Sequence, residues 1–185
     1  MSDVAGYFEL VMDALPRVPQ EPIERCIAVL EEARSQGRRI FMLGNGGSSA
    51  TASHFVNDMV KSVVQPGRRR FKLSCLSDNV PTMTAYANDV SYESVFAEPL
   101  AALAEPGDVV FAISGSGNSA NVLRAMSVAA QMGLHRLGLA GFAGGKLKDM
   151  CDTCVVVPSD SMQVIEDVHL VILHSIFRAF ASPES

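Results

Sequence analysis

The sequence has no excess of positive charge. Its 15 Lys and Arg residues stand against 20 Asp and Glu residues, so the net charge is −5. Nucleic-acid-binding proteins usually present a strongly basic face. The one basic run, Arg68-Arg69-Arg70, is short and follows Pro66-Gly67, which indicates a solvent-exposed loop. We therefore predict no nucleic-acid partner.

A long apolar segment is also missing. No stretch approaches the roughly 18–20 apolar residues that a membrane span requires. The first residues carry Asp3 and Glu9 and lack the basic cluster of a signal peptide. The sequence therefore predicts no membrane partner, and the expected compartment is the cytoplasm.

The cysteines are too few for a disulfide framework, because there are only four in 185 residues. Two of them, Cys151 and Cys154, have C-x-x-C spacing. A redox or zinc role for such a pair would need an electropositive helix start or a second pair. Neither is visible in the sequence, so we expect ordinary interior packing for all four: Cys26, Cys75, Cys151 and Cys154.

The length and composition predict one folded domain. A chain of 185 residues fits a single domain, and 48% hydrophobic with 19% charged residues excludes a disordered chain. Apolar residues at helical spacing predict helices over 3–15 and 21–36. We interpret residues 1–36 as a helical appendage to a core domain over 37–185.

From residue 37 onward, short apolar runs alternate with helical segments. The predicted strands are 40–43, 71–76, 108–113, 137–140 and 154–157. The predicted helices are 47–63, 80–104 (as two helices), 118–132, 144–150 and 161–181. Continuous apolar strands that alternate with helices are typical of a parallel sheet covered on both faces. We therefore predict an α/β fold, a three-layer α/β/α sandwich with a five-stranded parallel sheet and a long C-terminal helix.

Folds of this kind bind ligands beyond the carboxyl ends of their strands. The loop after the first predicted strand is Gly44-Asn45-Gly46-Gly47-Ser48-Ser49. Glycines let the backbone approach a ligand, and the following helix offers free N–H groups. Ser48 adds a hydroxyl group and is a further expected contact of the substrate. A tight turn with a serine cap is the alternative interpretation.

The loop after the third predicted strand contains three serines, Ser114, Ser116 and Ser119. Its G-x-G-x-x-A pattern suits a dinucleotide only if an acidic residue ends the next strand. That strand ends Leu139-Ala140-Gly141-Phe142, without an acid. No Lys follows the loop, which excludes a nucleotide P-loop. Three hydroxyls at a helix start favour a phosphate monoester.

Acids and histidines recur at helical spacing in two predicted helices. His54 and Asp58 are i, i+4 and share one helix face. In the last helix, Glu166 and His169 have a spacing known for metal ligands. Glu166 and His174 are two turns apart, so they meet only if both lean inward or come from different subunits. Such residues suit proton transfer on a phosphorylated carbonyl compound, with a divalent metal polarising the oxygen.

Four segments resemble the sugar isomerase (SIS) domain family, and within it the phosphoheptose isomerases. They are GNGGSSATASHFVND, SDNVPTMTAYANDVSYESVF, ISGSGNSANV and IEDVHLVILH, in order between about residues 38 and 178. The resemblance implies a flavodoxin-like SIS fold and an aldose–ketose isomerase that converts sedoheptulose 7-phosphate to a glycero-manno-heptose 7-phosphate. It also implies zinc and a homotetramer with sites at subunit boundaries.

The resemblance also implies roles for individual residues. The expected phosphosugar contacts are Asn45, Gly46, Gly47, Asn88, Asp89, Ser114, Gly115, Ser116, Ser119 and Glu166. The expected metal ligands are His54, Asp58, Glu166 and His174. Of these, Asp58 and His174 are the expected catalytic pair.

The chain departs from the family's pattern at four positions. Asp58 stands where the isomerases carry Glu, and Glu166 where they carry Gln, which should strengthen metal binding. Gly115 stands where many have Thr, and Met162 replaces another common Thr. Another ketose phosphate is therefore an alternative substrate. Two further alternatives are a non-catalytic SIS protein of the type that binds the bacterial replication initiator, and a metal-binding phosphosugar sensor.

Overall fold

The computed structural model describes residues 4–181, so the predicted helix start at residue 3 lies outside the described residues. The helices are α1 (Val4–Ala14), α2 (Gln20–Gln36), α3 (Gly46–Ser62), α4 (Val80–Asp89), α5 (Ser94–Leu103), α6 (Ala120–Gln131), α7 (Gly145–Met150) and α8 (Met162–Phe180). The strands are β1 (Arg39–Gly44), β2 (Lys72–Cys75), β3 (Val109–Ser114), β4 (His135–Ala140) and β5 (Thr153–Val156).

The five strands form one parallel sheet in the order β2-β1-β3-β4-β5. The chain goes outward from β1 to β2 and then returns past β1 to begin β3. This reversal leaves a crevice between the carboxyl ends of β1 and β3, which is where flavodoxin-like sheets bind ligands. The glycine loop and the serine loop follow these two strands, so the fold brings them to the same crevice.

Alternate residues of each strand point to opposite faces of the sheet. Met42 and Phe111 belong to one buried cluster, which includes side chains of α1, α2, α3 and α8. Leu43 and Ala112 belong to the other, with side chains of α4, α5, α6 and α7. Every residue of β3 is buried. The predicted three-layer sandwich is therefore confirmed.

The element boundaries differ from the predictions by a few residues. β4 begins at His135, two residues before the predicted start. The strand was predicted from its apolar run, and its first two side chains, which are polar and not fully buried, lie outside that run. The predicted segment 80–104 forms two helices, as expected, with the break at residues 90–93. Arg68, Arg69 and Arg70 lie in an exposed loop.

Helix α2 packs into the core of the sandwich. Its Cys26 and Leu30 are completely buried in the cluster that holds α3 and α8. Gly37 follows the helix as its C-cap, where it adopts the left-handed conformation (φ 72°) and donates its N–H to carbonyl oxygens of the last turn. The division of the chain at residue 37 stays a prediction. Among the described helices, none is both long and apolar enough to cross a membrane.

Candidate functional site

Two helices begin side by side at the crevice, α3 after β1 and α6 after the serine loop. A cleft of about 150 Å³ opens between them. We call it the serine cleft; it is lined by Asn45, Ser48, Ile113, Ser114, Gly115, Ser116, Ser119, Met162 and Glu166. The structure thus brings together residues as far apart in the sequence as Asn45 and Glu166.

The serine loop has a backbone that requires glycine at one position. Gly117 has a φ of +64°, and a β-carbon there would overlap the carbonyl oxygen of Gly144. The first residues of α7 also donate hydrogen bonds to this loop. The Leu147 N–H donates to the carbonyl of Gly117 (2.9 Å), and the Lys146 N–H donates to the Asn118 side chain (3.1 Å). The position of the serine hydroxyls is therefore set by the neighbouring loop and helix.

The N-cap side chains of α3 and α6, Asn45 and Ser119, accept no hydrogen bond from the first turn of their helices. In α6, the Val122 N–H donates to Oδ1 of Asn121 (3.0 Å). Ser48 lies inside the first turn of α3 and is almost fully buried. Free N–H groups at helix starts attract anions. The tight turn with a serine cap is therefore not what the structure has at this loop.

An amide network links the two loops. Asn45 and Asn121 exchange side-chain hydrogen bonds of 2.8 and 2.9 Å, and the Tyr92 hydroxyl donates to Asn45 (2.9 Å). Sequence reasoning missed Asn121 and Tyr92 as site residues. Both lie inside motifs that carry the family resemblance, which was the one available signal.

A second cluster lies further along α3. Asp58 Oδ2 is 3.3 Å from Nε2 of His54 and 3.6 Å from Nε2 of His174, and the two Nε2 atoms are 3.5 Å apart. His54 and Asp58 come from α3, whereas His174 comes from α8. We call these three residues the His–Asp–His cluster. Its side chains are partly exposed, so a ligand can reach them.

The His–Asp–His cluster fits a metal ion. Two imidazoles and one carboxylate form a donor set that zinc takes in catalytic sites, with a fourth position left open. Tetrahedral ligands about 2.0–2.1 Å from zinc lie roughly 3.4 Å from one another. The three distances of 3.3, 3.5 and 3.6 Å match that spacing. These three residues could therefore hold one divalent metal.

Glu166 does not join the cluster formed by the other three predicted ligands. Its carboxylate lies over the start of α3, where a β-carbon on Gly47 would be 2.8 Å from Oε2. It faces the serine cleft instead. Within this single chain, the structure gives Glu166 a position suited to substrate contact, one of the two roles predicted for it.

Two further predicted contacts lie elsewhere. Asn88 and Asp89 end α4, where they are exposed and bond to each other (2.7 Å). Neither lines the serine cleft. Gly46 begins α3 with a φ of +52° and open space around its missing side chain. The roles of these three residues stay predictions.

The i, i+3 spacing of Glu166 and His169 does not make a metal site. His169 is 1% exposed, and its Nε2–H donates to the carbonyl of Ala140 (3.1 Å). Burial lowers the pKa of His169 to about 4, so the ring is neutral near pH 7. His169 therefore tethers α8 to the end of β4. His135 stands at the exposed start of β4, far from the crevice.

Comparisons with known proteins agree with this architecture. The SIS domain model matches residues 6–141. A probable phosphoheptose isomerase from Thermoplasma acidophilum is 38% identical over 157 residues, covering 83% of this chain and 86% of that protein. A phosphoheptose isomerase from Aliarcobacter butzleri is also 38% identical over 157 residues, covering 85% and 82%. The structure of a phosphoheptose isomerase from Francisella tularensis superposes with a TM-score of 0.91 at 27% identity, covering 98% and 99%. The chain therefore belongs to the SIS domain family and is similar to the phosphoheptose isomerases within it.

Proposed function

We propose that this protein is an aldose–ketose isomerase that converts sedoheptulose 7-phosphate to a glycero-manno-heptose 7-phosphate. The observation that carries the proposal is the pairing of two sites along α3 in a chain whose relatives are phosphoheptose isomerases. The serine cleft offers hydroxyls and helix N–H groups to a phosphate. The His–Asp–His cluster offers a carboxylate and two imidazoles for proton transfer.

The distance between the two sites supports a long phosphosugar. Ser48 lines the cleft, and His54 lies six residues further along α3, which corresponds to about 9 Å of helix. An extended chain advances roughly 3.6 Å for every three bonds, so seven bonds span about 8 Å. A sugar anchored by its phosphate in the serine cleft would thus extend its carbonyl end toward the cluster.

Asp58 and His174 divide the proton transfer in this proposal. The Asp58 carboxylate removes the proton from the carbon beside the carbonyl and returns it to the neighbouring carbon. With no metal on its Nε2 atom, the His174 imidazole would give a proton to the carbonyl oxygen and later take one from the adjacent hydroxyl; a divalent ion held there would instead stabilise the charge on that oxygen. Asn57 donates to the other carboxylate oxygen, Oδ1 (3.3 Å), which leaves Oδ2 facing the two histidines.

We further propose that the bound metal is zinc, held by His54, Asp58 and His174. A divalent ion there would polarise the carbonyl oxygen and so acidify the proton that Asp58 removes. The second carboxylate near the substrate is Glu166, which faces the cleft. Its oxygens can accept hydrogen bonds from sugar hydroxyls and so orient the chain between the two sites.

The test is an NMR time course with purified protein, zinc and sedoheptulose 7-phosphate in D₂O. We expect an aldose phosphate to appear with deuterium at C2, because the proton held by Asp58 exchanges with solvent. Asp58→Asn and His174→Ala should each abolish turnover. His135→Gln is the matched control, since His135 is an exposed histidine outside the cluster, and it should keep full activity.

A folded, metal-loaded protein that leaves sedoheptulose 7-phosphate unchanged would contradict the proposed substrate. The same assay is then repeated with a panel of other ketose phosphates. Turnover of one of them would indicate an isomerase with another substrate, and turnover of none would favour the two non-catalytic alternatives. Turnover by Asp58→Asn and His174→Ala at the wild-type rate would contradict the assigned roles instead.

We also propose that the protein assembles as a homotetramer. The support is one apolar face of α1, on which Val4, Phe8 and Met12 recur at helical spacing and are 55%, 60% and 62% exposed. Exposed apolar side chains that lie together are typical of subunit contacts. Light scattering should give four chains per particle, and Phe8→Asp with Met12→Asp should lower that number.

A further inference from the structure

Two cysteine sulfurs share one small space on the outer strands of the sheet. Gly138 of β4 is the register partner of Cys154 of β5. A β-carbon on Gly138 would lie 2.6 Å from Sγ of Cys151 and 3.2 Å from Sγ of Cys154. The missing side chain of Gly138 therefore provides the room in which the two sulfurs meet. The two thiols lie close enough there to interact with each other, and the Cys154 thiol also donates weakly to the carbonyl oxygen of Val155 (3.9 Å).

The bend between the two cysteines is held by a charged pair. Asp152 accepts hydrogen bonds from the backbone N–H of Arg136 (2.8 Å) and from its guanidinium. The Asp152 N–H donates to the Arg136 carbonyl (2.8 Å). These bonds fix the segment before β5 against β4. Cys151 and Cys154 thus stay on the same side of the sheet, although a straight strand would separate residues three apart.

The pair differs from the other two cysteines in its exposure. Cys26 and Cys75 are buried, whereas Cys151 and Cys154 are only partly buried and lie just before and within β5, an edge strand of the sheet. The expected interior packing is thus complete for Cys26 and Cys75, whereas Cys151 and Cys154 pack against a buried cluster and stay partly exposed. The apolar run after Cys154 indicated a buried strand. The sequence alone does not show that this strand, β5, lies at the edge of the sheet, where alternate side chains are partly exposed.

The two thiols are chemically unequal. The interaction with the Cys151 thiol, helped by the Lys148 ammonium, lowers the pKa of the Cys154 thiol, although burial opposes this effect. The same interaction, together with burial, raises the pKa of Cys151. Burial also raises the pKa of Cys26 to about 12. Cys154 is therefore the thiol with the largest tendency to form a thiolate among these three, and thiolates are the reactive form.

We propose that Cys151 and Cys154 form a redox-active dithiol that is oxidised reversibly to a disulfide by low-molecular-weight disulfides. The Cys154 thiolate attacks one sulfur of the external disulfide, whose S–S bond breaks and releases one thiolate. Cys151 then loses its proton to water and attacks Sγ of Cys154. The Cys151–Cys154 bond forms and the second external thiolate leaves. Two protein thiols are oxidised, and one external disulfide is reduced to two thiols.

The position of the pair separates it from disulfide oxidoreductases. In those proteins the reactive cysteine begins a helix, whose dipole stabilises the thiolate. Here Cys151 follows the last residue of α7, at the negative end of the helix. The dithiol is therefore a site of oxidative modification in the protein.

The experiment treats the folded protein with glutathione disulfide and measures intact mass and cross-linked peptides. We expect the mass to fall by two hydrogens, with one peptide pair joined through Cys151 and Cys154, and dithiothreitol should reverse both changes. Cys151→Ser should stop at one glutathione adduct on Cys154. Cys154→Ser should leave Cys151 unmodified over the same period.

Cys26→Ala is the matched control, because Cys26 is buried, and it should form the disulfide as the wild type does. Circular dichroism verifies that each variant is folded. The proposal is overturned if the folded wild type stays unmodified, or if it collects glutathione adducts without the internal bond. It is also overturned if Cys151→Ser and Cys154→Ser react equally.

Discussion

The sulfur of Met162, at the start of α8, occupies the space into which a side chain at position 115 would project. A β-carbon on Gly115 would overlap Sδ of Met162 and lie 3.8 Å from Ile165. The sulfur of Met162 therefore fills, from α8, the volume that a side chain at position 115 of the serine loop would take. The resemblance to the family led to the expectation of Thr at both positions.

This contact predicts strong coupling between the two positions. Gly115→Thr alone should destabilise the fold by about 1–3 kcal/mol through overpacking, and it should weaken phosphosugar binding by displacing the serine loop. Gly115→Thr combined with Met162→Thr should recover most of both losses. Urea unfolding and calorimetric titration of the single and double variants measure the coupling. Additive effects of the two changes would show that Met162 does not fill this space in solution.

The separation of Glu166 from the His–Asp–His cluster predicts which variants lose metal. His54→Ala removes one of three ligands and should lower zinc affinity at least tenfold, on the order of the effect of losing even a supporting contact. Glu166→Gln should leave zinc affinity within about threefold, since its carboxylate faces the serine cleft. Competition with a chromophoric chelator measures both. Equal losses in the two variants would place Glu166 among the ligands, as the family resemblance implied.

The close contact at Gly117 leads us to expect that a single added methyl group lowers stability strongly. Gly117→Ala should cost several times more stability than Gly133→Ala, and it should raise the KM for the phosphosugar. Both glycines have positive φ, but nothing lies within 4 Å of a β-carbon on Gly133. The control should therefore cost only the backbone strain, about 1–2 kcal/mol. Similar unfolding free energies for the two variants would mean that the serine loop moves freely away from Gly144.

Buried His169 predicts a loss of stability in acid. Its folded pKa, about 4, lies below the ordinary 6.5. Above pH 6.5 the ring is neutral in both states, so stability does not change; below it the unfolded chain binds a proton that the folded chain does not. The free energy of unfolding should fall as pH drops from 6.5 towards 4, by about 2 kcal/mol between pH 7.5 and pH 5.

The matched comparison for this effect uses two glutamine variants. His169→Gln removes the titrating group and keeps a donor for the Ala140 carbonyl, so its unfolding free energy should lack this part of the pH dependence. His135→Gln changes an exposed histidine and should follow the wild type. Urea unfolding at several pH values distinguishes them, and parallel curves for all three proteins would refute the role of His169.

Local patterns in the sequence were sufficient to predict the strands, the helices and the layered sheet. The apolar run of β3 between Gly107 and Gly115 requires burial on both faces, and burial of a strand on both faces requires helices on each side. Ligand loops at the carboxyl ends follow from parallel strands. His54 and Asp58 were paired correctly because their separation is one helical turn, which is a local property.

Contacts between distant segments were decided only by the tertiary structure. The family resemblance implied that His174 and Glu166 are ligands of one metal, but the rotation of α8 turns His174 toward α3 and Glu166 toward the serine loop. Residues two turns apart on one helix meet different neighbours, and which neighbours they meet depends on how that helix packs. The sequence alone therefore determined the elements and the chemistry of their side chains, whereas the packing of α8 across the sheet determined which of those side chains meet.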